Sequence, residues 1–196
     1  MKFGPPYFIG GLVCIDFCNT TDHLHSPPMY DYFKDYGTLL DWAKAAGVLS
    51  KNNASSPASK NRSFADLLTA RDQILRLLWP ISRGEKPAKT DLAAFNRRLQ
   101  KVSSGLRLSV VKGRYVMSGS SDDPLERIHT AVVRSAADLL VSGQFARIRH
   151  CGECGWIFYD NSRNHLRRWC TMKICGNRAK ARRHYQRVKK SRIGGS

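Results

Sequence analysis

Acidic residues are scarce: 15 Asp and Glu stand against 33 Lys and Arg in 196 residues, a formal net charge of +18. Long apolar runs are missing as well. No window approaches the roughly 18 uncharged apolar residues that a membrane span requires, so a soluble chain is expected. There is no glycine-rich nucleotide loop, no Gly-x-Ser-x-Gly and no zinc-protease motif, which removes the best-marked enzyme classes. Internal repeats are absent too, which excludes a solenoid. The first 20 residues carry one lysine, two prolines and an apolar stretch broken by Asp16, with no small-residue cleavage site, so no export signal is read. A reducing compartment, by default the cytoplasm, is therefore expected. There the six cysteines point to metal ligands or buried thiols rather than a disulfide framework.

The positive charge is unevenly placed. From Gln144 to Ser196 there are 14 Lys and Arg but only Glu153 and Asp160, a net +12, which leaves +6 for the other 143 residues. Such segregation is the footprint of a nucleic-acid partner, because each neutralised phosphate releases counterions; a solubilising tail would look similar. The length suits one medium core plus a small module.

Residues 7–20 (YFIGGLVCIDFCNT) alternate as a buried strand with a Gly-Gly irregularity. Thr38 can cap a helix bearing Leu39, Leu40, Trp42, Ala43 and Ala46 and ending at Gly47. Residues 50–62 have no apolar period and suggest a surface loop. Phe64, Leu67, Leu68, Ile74, Leu75, Leu78 and Trp79 then fit one helical face closed by Pro80 and Gly84. Thr90 opens another helix, with Leu92, Phe95, Leu99 and Val102 inward. Two β-prone runs around Lys112-Gly113 suggest a hairpin. Asp123-Pro124-Leu125-Glu126 places a cap, a first-turn proline and an acid ahead of Leu125, Ile128, Val132, Ala136 and Leu139. The resulting expectation is an α+β fold. A mainly helical N-terminal domain with a small antiparallel sheet fills residues 1–143, and a C-terminal treble-clef-like zinc finger fills 144–193.

Cys151-x2-Cys154 and Cys170-x4-Cys175 are separated by fifteen residues, enough for the chain to fold back and offer four sulfurs to one tetrahedral zinc. Glycines around the first pair permit the knuckle turn. Residues 156–159 are β-prone, 167–169 can return as the second strand of a hairpin, and good helix formers follow from Arg178 to Lys190. So small a module lacks the apolar material to fold alone, and zinc supplies the missing free energy. His150 and His165 lie near enough to substitute for a ligand, although surface or supporting roles suit them better. A redox Cys-x-x-Cys would explain neither the second pair nor the basic helix.

The stretches Cys151 to Asn164, Arg168 to Met172 and Cys175-Gly176-Asn177-Arg178 resemble the CGNR zinc finger, named for that tetrapeptide. Gly10-Gly11-Leu12 and Asp16-Phe17-Cys18-Asn19-Thr20 resemble the opening motif of the ABATE domain that accompanies it. The resemblance covers nearly the whole chain. It implies a DNA-binding transcription regulator with Cys151, Cys154, Cys170 and Cys175 as zinc ligands. Cys18 stands where that motif usually has an aliphatic residue or alanine, which suggests a buried thiol.

On a helical wheel Ala181, His184, Tyr185 and Val188 form a stripe able to dock on the zinc core. Arg178, Lys180, Arg182, Arg183, Arg187, Lys189 and Lys190 fill the remainder, as in a helix set against phosphates or in a major groove. Arg178 and Asn177 sit at the metal end, within reach of base edges, although Asn177 can equally cap the helix. Arg163, Asn164, Arg167 and Arg168 can add backbone contacts. Double-stranded DNA is the expected partner. RNA is the alternative, because Trp156 and Trp169 could stack on bases, though packing on the zinc site suits both better. Asp16, Cys18, Asp22, His23 and His25 raise a third possibility, acid–base or metal chemistry in the N-terminal domain, but no recognised spacing links them. A homodimer would help one small finger read a specific site. The N-terminal domain could sense an unidentified small-molecule ligand or mediate association.

Overall fold

The computed structural model describes residues 8–22, 24, 28–50, 60–119 and 121–193. Its first element corrects the strand expected at the N-terminus. Val13–Cys18 is a short helix, α1, entered from extended Leu12. Cys14, Ile15, Phe17 and Cys18 are all buried, because α1 is wedged against helices on several sides. An element buried all round shows no 3.6-residue period, and its alternating letters imitate a strand. The backbone N–H of Cys14, orphaned in the first turn, donates to the Ser135 hydroxyl at 3.2 Å.

The second helix, α2 (Tyr36–Ala45), is capped by Asp35 rather than by Thr38. Thr38 closes the box from the other side: its N–H donates to Asp35 Oδ1 at 2.8 Å, and its hydroxyl accepts from the Asp35 N–H at 3.2 Å. The long helix α3 (Lys60–Ser82) takes in residues 60–62, expected in the loop; the rest of that loop, 51–59, lies outside the described residues. Pro80 does not end α3. It sits in the last turn, where its missing N–H costs a single intrahelical bond. In α4 (Lys89–Ser103) Phe95 and Val102 face inward, but Leu92 is exposed.

β1 (Leu106–Val111) and β2 (Arg114–Gly119) pair antiparallel around Lys112 and Gly113. Both turn residues have positive φ (49° and 73°), as the two-residue turn that matches strand twist requires. α5 (Pro124–Val141) begins as its sequence suggests, with Asp123 Oδ1 accepting from the Leu125 N–H at 3.0 Å. Leu125, Ile128, Val132, Ala136 and Leu139 are buried. Next come β3 (Ile148–His150), β4 (Ile157–Tyr159) and a C-terminal helix, α6 (Asn177–Ile193). β3 and β4 pair antiparallel, so the hairpin brackets the first cysteine pair. Residues 167–169, expected as its second strand, form no strand. No helix among the described residues is long and apolar enough to cross a membrane.

One large core joins α1–α5 and extends into the cysteine region through Ile148 and Ile157. A smaller core holds Cys151, Trp156, Phe158, Cys170 and Cys175, with Ile9 and Tyr30 from the N-terminal half packed on it. Two ion-pair clusters tie the helices together. The Arg71 guanidinium, buried on α3, grips Asp31 through two bonds of 2.8 and 2.6 Å. Arg98 on α4 holds Asp66 bidentately at 2.9 and 3.1 Å and lies 3.0 Å from His129 Nε2. Guanidinium offers only donors, so that ring nitrogen accepts and the ring stays neutral.

Two buried groups give opposed pH dependences. Burial pushes the Asp16 carboxyl up from 3.8 to about 6. Burial, and then the charge of Arg98, pushes the His129 imidazole down from 6.5 to about 4. The folded state thus holds the Asp16 proton more tightly than the unfolded chain, and that contribution to stability falls as pH rises from about 4 to 6. Folding disfavours the His129 proton, so its contribution rises over about the same window. Relative to the parent, Asp16→Asn is expected to gain stability from pH 4 to 6, and His129→Gln to lose it. Urea midpoints at intervals across that range measure both, and curves parallel to the parent would refute the assignment.

Candidate metal centre and basic helix

The first cysteine pair is presented by a turn that the hairpin closes. The Cys151 N–H donates to the Trp156 carbonyl at 2.8 Å, and the Gly155 N–H returns to the Cys151 carbonyl at 2.8 Å. Gly155 takes φ +75°, a conformation that favours glycine, and this folds Cys154 back beside Cys151. The second pair flanks and enters a wide helical turn, Met172–Gly176, that runs directly into α6. Cys170 precedes this turn and Cys175 lies within it.

The four sulfurs lie within 4.8 Å of one another. Cys170 Sγ is 3.6 Å from both Cys154 Sγ and Cys175 Sγ. Sulfurs about 2.3 Å from a central zinc stand roughly 3.8 Å apart along a tetrahedral edge, whereas disulfide sulfurs stand about 2.05 Å apart. The donor set and its spacing therefore fit a tetrahedral thiolate-bound ion. Hydrogen bonds from the Cys154 and Cys170 thiols hold the Cys151 sulfur well below its ordinary range. Those same bonds push Cys154 and Cys170 up. Four thiolates at this spacing would repel one another, a repulsion that a divalent cation relieves. Cys14 and Cys18 lie apart, fully buried, with desolvation pushing the Cys14 thiol up to about 12.

Several residues brace the cluster. Trp156 and Trp169 pack against it, and the Trp156 indole N–H donates to the Tyr30 hydroxyl. The Arg167 guanidinium donates to the carbonyls of Trp169, Ile9 and Cys170 and lies 4.5 Å from the Phe158 ring centroid. Asp160, completely buried, accepts from the N–H groups of Ser162 and Arg167. Charge suggests a nucleic-acid contact for Arg167. Its hydrogen-bonding groups are directed inward. His150 docks on α3, with Nδ1 3.1 Å from the Ser82 carbonyl and its ring 5.4 Å from that of Trp79. His165 has φ +51°, and its carbonyl accepts from Arg149.

α6 leaves the cluster almost at once. Ala179 is its last buried residue among those whose side chains are described, and residues 180–187 and 189 are exposed. The Ala181–Tyr185 stripe does not dock on the core; Tyr185 is 69% exposed. Amphipathic spacing specifies a stripe but not a surface to receive it. Exposed along the helix are Lys180, Arg182, Arg183, Arg187 and Lys189, while Arg178 is half-buried and the Lys190 side chain is outside the described set. Arg163 and Arg168 are exposed in the segment between the two cysteine pairs, with the Arg168 guanidinium 5.1 Å from the Trp169 ring centroid. Asn177 has helical φ and ψ rather than the extended backbone of an N-cap. Its Nδ2 donates to the Lys173 carbonyl at 3.1 Å, which ties the helix to the wide turn. Arg182 pairs with Glu153 of the knuckle, whose side chain is only 5% exposed, so one basic residue anchors the helix from which the others project.

The N-terminal acid–base candidates come apart. Asp16 accepts from the Gly10 N–H at 2.7 Å, and Cys18 Sγ lies 3.8 Å from the Arg71 carbonyl. Asp22 accepts from the N–H groups of Leu24 and Met29. His23 and His25 lie outside the described residues.

The ABATE sequence profile, described as "Putative stress-induced transcription regulator", matches residues 11–143. The chain belongs to the ABATE family. In this ABATE protein the profile of the CGNR zinc finger matches residues 147–188, a range that contains all four clustered cysteines. Both descriptions are regulatory or metal-binding rather than enzymatic. Together with the sulfur cluster they make this a protein of a regulator family with a zinc-finger metal site. No curated protein matches the chain.

Proposed function

We propose that this ABATE protein is a zinc-dependent regulator of transcription that binds double-stranded DNA. Cys151, Cys154, Cys170 and Cys175 hold one Zn2+ ion, with every coordination position taken by protein, so the ion is structural. Residues 144–193 form the binding module, and residues 1–143 sense a ligand or mediate association. α6 is the observation that carries this reading. It is a helix anchored at the metal cluster and exposed over residues 180–187 and at Lys189, bearing Lys180, Arg183, Arg187 and Lys189 where a phosphate backbone can meet them. Arg163 and Arg168 extend the same positive surface. At the metal end, exposed Asn177 and half-buried Arg178 contact base edges in this reading. The metal-bound turn fixes the helix start, and the Arg182–Glu153 pair fixes its direction.

RNA recognition by stacked bases has weaker support, since Trp156 is buried and engaged with Tyr30. For the sensing role the N-terminal domain offers a cavity of about 540 Å3 lined by Asp66, Lys101, Glu126, Arg127, His129 and Thr130 among others. A homodimer would supply the second half-site that one finger lacks.

Binding to duplex DNA and to structured RNA is to be compared by fluorescence anisotropy over a KCl series. Duplex DNA is expected to bind more tightly. Arg183→Ala and Arg187→Ala should each lower the slope of log Kd against log salt by about 0.9, with little dependence on sequence. Tighter binding to RNA, or slopes unmoved by both substitutions, would overturn the proposal.

A further inference from the structure

The hairpin that presents the first cysteine pair is only two strands wide, which leaves the outer edge of β4 to be satisfied elsewhere. Backbone partners on the β3 side alternate along β4, so the N–H and C=O groups of Ile157 and the N–H of Tyr159 face away from β3. Ile157 is fully buried, so its groups are out of reach of water. They meet one side chain, 138 residues away in sequence. Asn19 Nδ2 donates to the Ile157 carbonyl at 2.8 Å, and the Ile157 N–H donates to Asn19 Oδ1 at 3.0 Å. A carboxamide is chemically a peptide group, and here it pairs with the strand as a neighbouring strand would. One residue pair further on, the Tyr159 N–H donates to the Gly10 carbonyl at 2.7 Å.

The Gly10 carbonyl is itself aimed by α1. Asp16 Oδ1 accepts from the Gly10 N–H at 2.7 Å, and a Cβ on Gly10 would stand 2.6 Å from Ile15 Cγ2. Two more contacts reach the metal cluster from the same half of the chain. The Ile9 carbonyl accepts from Arg167, which also holds the Cys170 carbonyl, and the Tyr30 hydroxyl accepts from Trp156.

We propose that Asn19, with the Gly10 carbonyl, serves as a surrogate third strand for the finger. The N-terminal domain then completes the metal centre and sets the direction of α6, and Asn19 is a positioning residue for both. A change in α1 or its flanking turns therefore passes directly to the cysteine pair on the hairpin, which gives the N-terminal domain a mechanical route to the binding helix.

This rests on the reading of the four cysteines as zinc ligands, and the test separates the two ideas. In the full zinc-loaded chain, amide hydrogen exchange reports the clamp, and zinc release to a chromogenic chelator reports its effect on the metal. Asn19→Ala leaves a buried donor and acceptor unpaired. It is expected to speed Ile157 exchange and zinc release by about tenfold or more, without change in the α3 or α5 amides. Asn19→Asp keeps the shape but sets a carboxylate oxygen against the Ile157 carbonyl, and should act in the same direction. Should Asn19→Ala also unprotect α3 and α5, Tyr30→Phe decides. Loss of only its hydroxyl should speed zinc release about threefold. Parent-like Ile157 protection in a folded Asn19→Ala protein, or an unchanged release rate in the deciding variant, overturns the proposal. A parent that holds no zinc would defeat the ligand assignment, yet Ile157 exchange would still test the clamp.

Discussion

Cys170→Ser should lose the metal and, with it, duplex binding, although every arginine and lysine of α6 remains. Cys170 is the hub of the sulfur cluster, 3.6 Å from both Cys154 and Cys175. Its carbonyl is also held by Arg167, which ties the second cysteine pair to the N-terminal half. Serine is a poor zinc ligand at neutral pH. Removing one of four thiolates forfeits a large share of the ~10 kcal/mol that structural zinc supplies, so duplex affinity should fall by on the order of a hundredfold or more. Far-ultraviolet circular dichroism should retain the signal of α1–α5, because their core is built from other residues. Cys14→Ala is the matched control. Its thiol is buried among apolar residues away from the cluster, so metal content should stay at one ion per chain. A Cys170→Ser protein that binds both zinc and duplex as the parent does would refute the ligand assignment.

Arg71→Ala is expected to give the largest loss of global stability. Arg71 is 4% exposed and holds both Asp31 oxygens, with a third bond of 3.2 Å to the Thr20 hydroxyl. Its charge also lies 5.6 Å from the Phe33 ring centroid. Alanine leaves the Asp31 carboxylate without its partner and opens a void beside α3, which should cost about 3–5 kcal/mol. Urea unfolding measures this, and a loss below about 1 kcal/mol would mean that water replaces the guanidinium without penalty. The effect should spread, because Asp31 follows Tyr30 in the segment that reaches Trp156. Faster zinc release in Arg71→Ala would report that link.

How much of this could be read from the letters depended on how local the physics was. The Lys112-Gly113 turn, the Asp123-Pro124 helix start and the two cysteine pairs are set by residues within a few positions of each other, and their patterns survive in sequence. α1 misled because burial on several faces erases helical periodicity, and Cys14, Asp16 and Cys18 then alternate as a strand would. Thr38 signalled a cap, but its partner Asp35, three residues earlier, holds the cap position itself. Arg167 carried the signature of a phosphate contact because charge alone does not say whether a side chain faces solvent or carbonyls. The pairings of Asn19 with Ile157, Arg71 with Asp31 and Arg182 with Glu153 join residues 138, 40 and 29 positions apart, and no spacing rule anticipates them. The Asn19-Thr20 end of the opening motif, which the resemblance alone had marked, becomes intelligible once β4 is seen lying against it.

The proposed function has zinc organise a surface whose charges are useful only when aimed, and the most direct test compares the parent protein with and without its metal. Metal content and duplex-DNA affinity should be measured on the same sample as a chelator is titrated in and zinc is then restored. One ion per chain is predicted, with duplex affinity falling in step with metal loss and returning on zinc addition. Undiminished duplex binding by the metal-free protein, with the same salt dependence, would contradict it.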